Sequence, residues 1–220
     1  MRHRRTLRAP LFALAVVTCS VLGHAAEPIR IAETRAIVAA PIAPTATHEL
    51  TLHAYTFRGT RWRVNDIAAA MPAAAKLLAQ CGIALAAAEL NVIEAPRRFH
   101  DYYTPASREL LRAIDVRKPA VFFVEDTRNE PAFDAEAIGL GNSRAKPELA
   151  NTVWVAYGAR DLPHAIAHEL VHVLANSGDH SDERGNLMAE ETSPENYRLT
   201  PRQCELTRSR GAANGLLRPR

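Results

Sequence analysis

No stretch of this 220-residue chain stays apolar over the roughly 20 residues a membrane helix needs. The longest apolar run, residues 9–23, falls short of that and is interrupted by Thr18 and Ser20. Neither sign of charge dominates, with 27 basic residues against 24 acidic ones, so the strong basic excess of many nucleic-acid binders is missing. A G-x-S-x-G elbow, a Walker loop and a dinucleotide-binding glycine loop are all absent, which removes the commonest serine-hydrolase, nucleotide-hydrolase and dehydrogenase readings. There is no internal repeat and no low-complexity block. With 47% hydrophobic and 23% charged residues the chain sits near globular averages, against wholesale disorder, collagen or coiled coil. Its length suits one domain, or one domain with a tail, and is enough to bury a real core.

The amino terminus has its own character. Arg2, Arg4, Arg5 and Arg8 precede the apolar run, no acid accompanies them, and His24-Ala25-Ala26 follows. A basic start, a short apolar middle and a small-residue exit are the parts of a secretory signal peptide, expected over residues 1–26. Cys19 raises a lipoprotein variant, but Thr18 is bulkier than the residue such a site requires. Without residues 1–26 the chain has 23 basic and 24 acidic residues, a net of −1, so its basicity belongs to the leader. Two cysteines then remain, Cys81 and Cys204, an even pair suited to a disulfide in an oxidising compartment. Secreted or periplasmic localisation is the expectation.

Along the remaining chain, residues 27–48 carry Pro28, Pro41 and Pro44 and read as a linker or short pro-segment, with an edge strand over 29–38 as the alternative. A single domain is expected over 49–220. Alternation from Leu50 to Thr56 predicts a strand, residues 64–80 an alanine-rich helix, and the second half of 83–93 another strand. Residues 104–114 read as a short helix with Thr104 as cap and Pro105 in its first turn, and 120–124 and 152–156 as compact apolar strands. Residues 137–141 are expected as a short edge strand, and Pro201 starts a helix that carries Cys204 towards a solvated, arginine-rich end. Strands alternating with helices predict an α+β layer fold. Arg97, Arg98, His100, Tyr102 and Tyr103 mix charge with aromatic rings, but on a nearly neutral chain they read as a solvated face. His53 and His100 have no partner at a useful spacing.

Four of the nine histidines fall within residues 161–180. His168-Glu169-Leu170-Val171-His172 is an H-E-x-x-H element, for which shuffling this composition gives about 0.03 copies per chain. Histidines four apart share a helix face and can hold one zinc ion, and the glutamate beside the first can serve as general base towards a water at that ion. The setting fits a buried helix. Asp161 is a candidate cap and Pro163 sits in the first turn; Leu170, Val171, Val173 and Leu174 are apolar, and Asn176 and Gly178 supply stop residues. A catalytic zinc takes a third protein ligand. His164 lies eight residues from His172, about 12 Å along a helix, and cannot share an ion with both other histidines. His180 follows a glycine turn and is preferred, with Asp179 as an adjacent oxygen alternative and Glu191 as a ligand from a later element.

Eight residues after His180 comes Asn186-Leu187-Met188-Ala189, and with it residues 161–190 resemble the metzincin clan of zinc endopeptidases. The resemblance implies zinc held by His168, His172 and His180, Glu169 as the general base, and Met188 in a turn beneath the metal. It implies a twisted, mostly parallel sheet of about five strands packed on helices, a C-terminal helical subdomain, and an edge strand near 137–141 that pairs with extended peptide. Two departures from the family pattern stand out: Ala175 occupies its glycine position, and His180 arrives two residues late, with Gly178 as the replacement turn glycine. The tyrosine that follows the methionine by two residues in several members is Glu190 here, leaving Tyr157 and Tyr197 as substitutes. The expected activity is hydrolysis of a peptide or protein substrate, without nucleic acid. The alternatives are a gluzincin-type peptidase liganded by Glu191 and a non-hydrolytic zinc-binding envelope module.

Overall fold

A computed structural model describes residues 28–39, 41–128, 137–140 and 146–220, the short stretch 137–140 for its backbone alone. The expected leader 1–26, with Cys19, and Gly141 lie outside the described residues.

Four strands form the parallel centre of the sheet: β2 (His48–Phe57), β3 (Ile83–Glu94), β4 (Ala120–Val124) and β6 (Thr152–Ala156). Three more run antiparallel to them: β1 (Arg30–Ile37) on β3, β5 (Ala137–Leu140) on β6, and β7 (Leu217–Pro219) on the first residues of β2. The order is β1-β3-β2-β4-β6-β5, so β1 and β5 are the two edges. This is the expected mixed α+β architecture with a mostly parallel sheet packed on helices. Residues 30–37, within the stretch read as linker or pro-segment, form an edge strand paired with β3, with one register shift between Ile31 and Glu33. The arginine-rich end is exposed as expected, but its backbone is paired: β7 lies on β2, and the exposed Arg218 forms an ion pair with Glu49.

Helices cover both faces. α1 (Val64–Leu78) connects β2 to β3, and α3 (Leu162–Ala175) and α4 (Pro201–Ala213) lie on the same side as α1, burying Leu50, Leu52, Leu90, Phe123 and Val155. α2 (Thr104–Ala113) lies on the other side, where Tyr55, Phe122 and Trp154 stack across β2, β4 and β6 at centroid spacings of 4.8 and 4.2 Å. β4 and β6 are buried at every residue, which is why both read as continuous apolar runs instead of alternating ones. Among the described residues no helix is long and apolar enough to cross a membrane.

α4 is stapled to the rest of the layer. Cys204 in its first turn forms a disulfide with Cys81, just past α1, closing 123 residues of chain. Thr200 and Gln203 form a reciprocal capping box at its start. Gly211 lets it press close, since a Cβ there would stand 2.8 Å from Leu217 and 3.5 Å from Leu174.

Candidate metal centre

α3 is the most enclosed helix of the fold, buried without a break from Ala165 to Ala175. Ile166, Leu170, Val173 and Leu174 supply the apolar contacts. On this helix His168 is 3% exposed and Glu169 and His172 each 9%, so three ionisable side chains are withdrawn from water. Such burial costs free energy unless the groups are neutral, paired or bound.

The backbone around α3 supplies the pairing. His168 Nδ1 lies 2.8 Å from the carbonyl of Leu187, and His172 Nδ1 lies 2.7 Å from the carbonyl of Ser177. A carbonyl only accepts, so each Nδ1 carries the proton, and each Nε2 is left with its lone pair. Those lone pairs converge. His172 Nε2 is 3.0 Å from His168 Nε2 and 3.2 Å from His180 Nε2, and the three rings offer ligand atoms that all lie within 4.8 Å of one another. Burial pushes the His168 imidazole down to about 4, with the neighbouring His172 and His180 acting the same way and the Leu187 bond opposing. His172 is lowered for the same leading reason, burial, against its bond to Ser177. Neutral imidazoles with free Nε2 atoms are the form that binds a metal.

The route from His172 to His180 differs in detail from the sequence reading. Asn176 ends α3 in the left-handed conformation at φ 45°, and its turn brings the Ser177 carbonyl back against His172. Gly178 does not need a positive φ, and a Cβ there would meet nothing within 4 Å. An asparagine replaces the expected turn glycine, since its short polar side chain tolerates that backbone region. Asp161 likewise fails as a side-chain cap: it sits at φ 51° instead of the extended geometry a cap uses, and only its carbonyl accepts from His164 and Ala165. At the opposite end, Arg210 from α4 donates to the carbonyls of Ala175, the last residue of α3, and of Asn176 just beyond it.

Of the remaining candidates, Asp179 and Glu191 are exposed and lie outside the histidine group. The Asp179 carboxylate accepts from the Ser177 hydroxyl at 2.6 Å. Among the described residues, the ligand atoms that come together with those of His168 and His172 belong to His180 and not to Glu191. His164 is half-buried in the first turn of α3 and also outside the group. Met188 is 2% exposed and packs into the core on the α3 side of the sheet; its carbonyl accepts from Ser181. Tyr157 is stacked under Arg61 at 4.1 Å, at the end of β6, while Tyr197 is exposed and held by its backbone to Gly185. The sequence reading missed the two carbonyl acceptors, at Ser177 and Leu187. It also missed Gly185, at φ 78°, whose carbonyl takes the N–H groups of both Tyr197 and Arg198.

Comparison with known proteins reaches the fold alone. No protein-family model matches the sequence, and no curated protein is significantly similar to it. Among solved structures, metalloproteinase-II from Bacteroides fragilis matches with a TM-score of 0.50 and 18% identity over 79% of this chain. The fold is metalloproteinase-like. The match spans 56% of the length of the Bacteroides protein.

Proposed function

We propose that the chain is an exported zinc-dependent metallopeptidase of metzincin type, hydrolysing peptide bonds in a peptide or protein substrate. The observation that carries this is the convergence of three Nε2 atoms with two of their rings locked by carbonyls at Nδ1. Zinc–nitrogen bonds of about 2.0–2.1 Å in a tetrahedral site set ligand nitrogens about 3.3 Å apart, close to the 3.0 and 3.2 Å separations between these rings. An all-nitrogen set of neutral imidazoles suits zinc and leaves a fourth position open.

His168, His172 and His180 would hold the zinc, which when bound would supply Lewis acidity towards the scissile carbonyl and a water. The protein supplies the rest. Leu187 and Ser177 hold two imidazoles in the ligating tautomer. Glu169, one residue and about 100° round the helix from His168, takes the proton of the attacking water and delivers it to the amine as the C–N bond breaks. Met188 packs beneath, and β5, which lies at the edge of the described sheet beside β6, is where an extended substrate would pair. The Cys81–Cys204 disulfide fits an oxidising compartment and hence export.

The test uses the purified protein. About one equivalent of zinc, with peptide cleavage that a chelator abolishes and that Glu169→Ala removes, supports the reading. Stoichiometric zinc with no cleavage across a broad peptide library would overturn hydrolysis in favour of a zinc-binding interaction module. His180→Ala and Glu191→Ala compare the two third-ligand assignments, and the first is expected to lose zinc.

A further inference from the structure

Asn186 is 2% exposed, yet it neither ligates nor faces solvent. Its carboxamide is engaged on every side. Oδ1 accepts from the backbone N–H of Met188 at 2.9 Å and from Gln203 Nε2 at 3.2 Å, and Nδ2 donates to Gln203 Oε1 at 3.1 Å. The two amides thus form a closed, reciprocal pair between the turn and α4. Gln203 Oε1 also accepts from the Thr200 N–H at 2.8 Å, so its orientation is set by the capping box of α4. The next residue, Cys204, is bridged to Cys81.

Leu187 lies between the two positions that Asn186 occupies, its own backbone and the Met188 N–H that its side chain holds. The Leu187 N–H is fixed separately, donating to the Arg198 carbonyl at 2.7 Å. With both flanking groups pinned, the Leu187 carbonyl has one direction left, and that direction meets His168 Nδ1 at 2.8 Å.

We propose that Gln203, acting through Asn186, is a positioning residue for the metal centre: the amide pair aims the Leu187 carbonyl that fixes the tautomer and orientation of His168. The proposal rests on the metallopeptidase reading for its purpose, while the chain of contacts from Gln203 to His168 stands without it. Partners of this outer kind typically alter metal affinity by 10–100-fold when removed. Gln203 lies on α4 and His168 on α3, and between them stand one side chain, that of Asn186, and the Leu187–Met188 peptide.

The experiment compares the parent protein with Gln203→Leu, which keeps bulk and removes the amide, and Gln203→Glu, which keeps the acceptors and loses the donor to Asn186. Three quantities are read: zinc affinity by competition with a chromophoric chelator, the visible absorption band of the cobalt-substituted protein, and the His168 Nδ1–H resonance of the metal-free protein. Gln203→Leu is expected to weaken zinc by about 10–100-fold, to alter the cobalt band and to shift or broaden the Nδ1–H signal. Gln203→Glu is expected to fall between it and the parent, and it alone decides the matter if Gln203→Leu does not fold. Zinc affinity within about twofold of the parent, with an unchanged Nδ1–H signal, would overturn the proposal even if the melting temperature fell. A parent protein that binds no zinc would sink the metallopeptidase reading instead. The Nδ1–H signal of the metal-free variants would then decide this one.

Discussion

Two of the clusters of ionisable side chains among the described residues make a useful contrast, because only one of them asks for a ligand. At the carboxyl ends of β2, β3 and β4, Arg61, Arg97, Arg128, His100, Asp101, Glu125 and Asp126 line a cavity of about 430 Å³. There Arg61 pairs with Glu125, and Arg128 pairs with Asp101 at 2.7 Å. Opposite charges meet and largely satisfy one another. At α3, by contrast, His168 and His172 of the helix meet His180 from the chain beyond it, with their Nε2 atoms converging and no carboxylate in the group. Charges that find their own partners can be purely architectural, whereas converging acceptors without a donor are stable only around a cation or protons. The histidine cluster is thus the one whose chemistry fits a metal ion, although the cavity is the more conspicuous hollow.

The sharpest way to break that contrast is to remove a ligand. His168→Ala is expected to weaken zinc by roughly 10³-fold, about a third of the ~10–16 kcal/mol typical of structural zinc sites, and to abolish cleavage with it. Isothermal titration and inductively coupled plasma analysis check the binding. Glu169→Ala should separate the two properties: zinc stays near one equivalent while turnover falls by about 10²–10⁴-fold, the range for a lost general base. If Glu169→Ala loses its zinc instead, its role is in the site's construction and not in proton transfer. Cys204→Ser is the next smaller change, expected to cost about 2–4 kcal/mol of stability by denaturant titration. It should also lower zinc affinity, because α4 carries Gln203 and its link to the turn at Asn186.

How much of this was legible in the sequence follows from what each feature depends on. β4 and β6 announced themselves because a strand buried on both faces must be apolar throughout, and Ala120 to Val124 is. The two histidines and glutamate of α3 were readable because helical periodicity alone puts them together. The first half of β3 was harder, since its alanines at 84 and 86–88 differ in burial but not in residue type. β7 was invisible: three residues beside arginines become a strand only because β2 offers its edge. Within the site, His180 was placed by a glycine turn that turned out to be an asparagine turn at Asn176. The Asn186–Gln203 pair was beyond reach for a different reason. It joins residues 17 positions apart through side chains common on any surface, and only the packing of α4 makes them meet. Backbone carbonyls such as those of Leu187 and Ser177 leave no mark in a sequence at all.

The two clusters should also answer differently to pH. His168, His172 and the buried His53 are each held below the ordinary imidazole value, with burial the leading cause in all three. The unfolded chain therefore takes up protons first. Stability of the metal-free protein is full above about pH 6.5 and is lost as pH falls below it, each histidine adding a slope of up to about 1.4 kcal/mol per pH unit, and for His168 continuing to about 4. Thermal melts of the metal-free protein between pH 8 and 4 check this, and a flat profile would contradict the buried-neutral assignment. In the paired cluster the shifts oppose one another. Asp101 is raised by burial against the pull of Arg128, while Glu125 overcomes its burial through its bonds to Arg61 and ends lowered. Raised and lowered carboxyls contribute opposite slopes as pH falls, so that cluster adds little net dependence.

The smallest expected effect is the one that completes the comparison. Arg61 has its side chain 61% exposed, and its pair with Glu125 is screened by water. Arg61→Ala should cost no more than about 1 kcal/mol, the usual limit for a surface ion pair, and should leave zinc affinity where it was. A chelator competition run beside a melt reads both. Should Arg61→Ala instead weaken zinc as Gln203→Leu is expected to, the carboxyl-end cluster would be coupled to α3 through Tyr157, which Arg61 covers just ahead of that helix, and the division into an architectural and a functional cluster would fail. With the ion pair exposed and His168 and His172 enclosed in the body of α3, physical chemistry favours independence: the loss of one screened charge at the rim gives those imidazoles no reason to move.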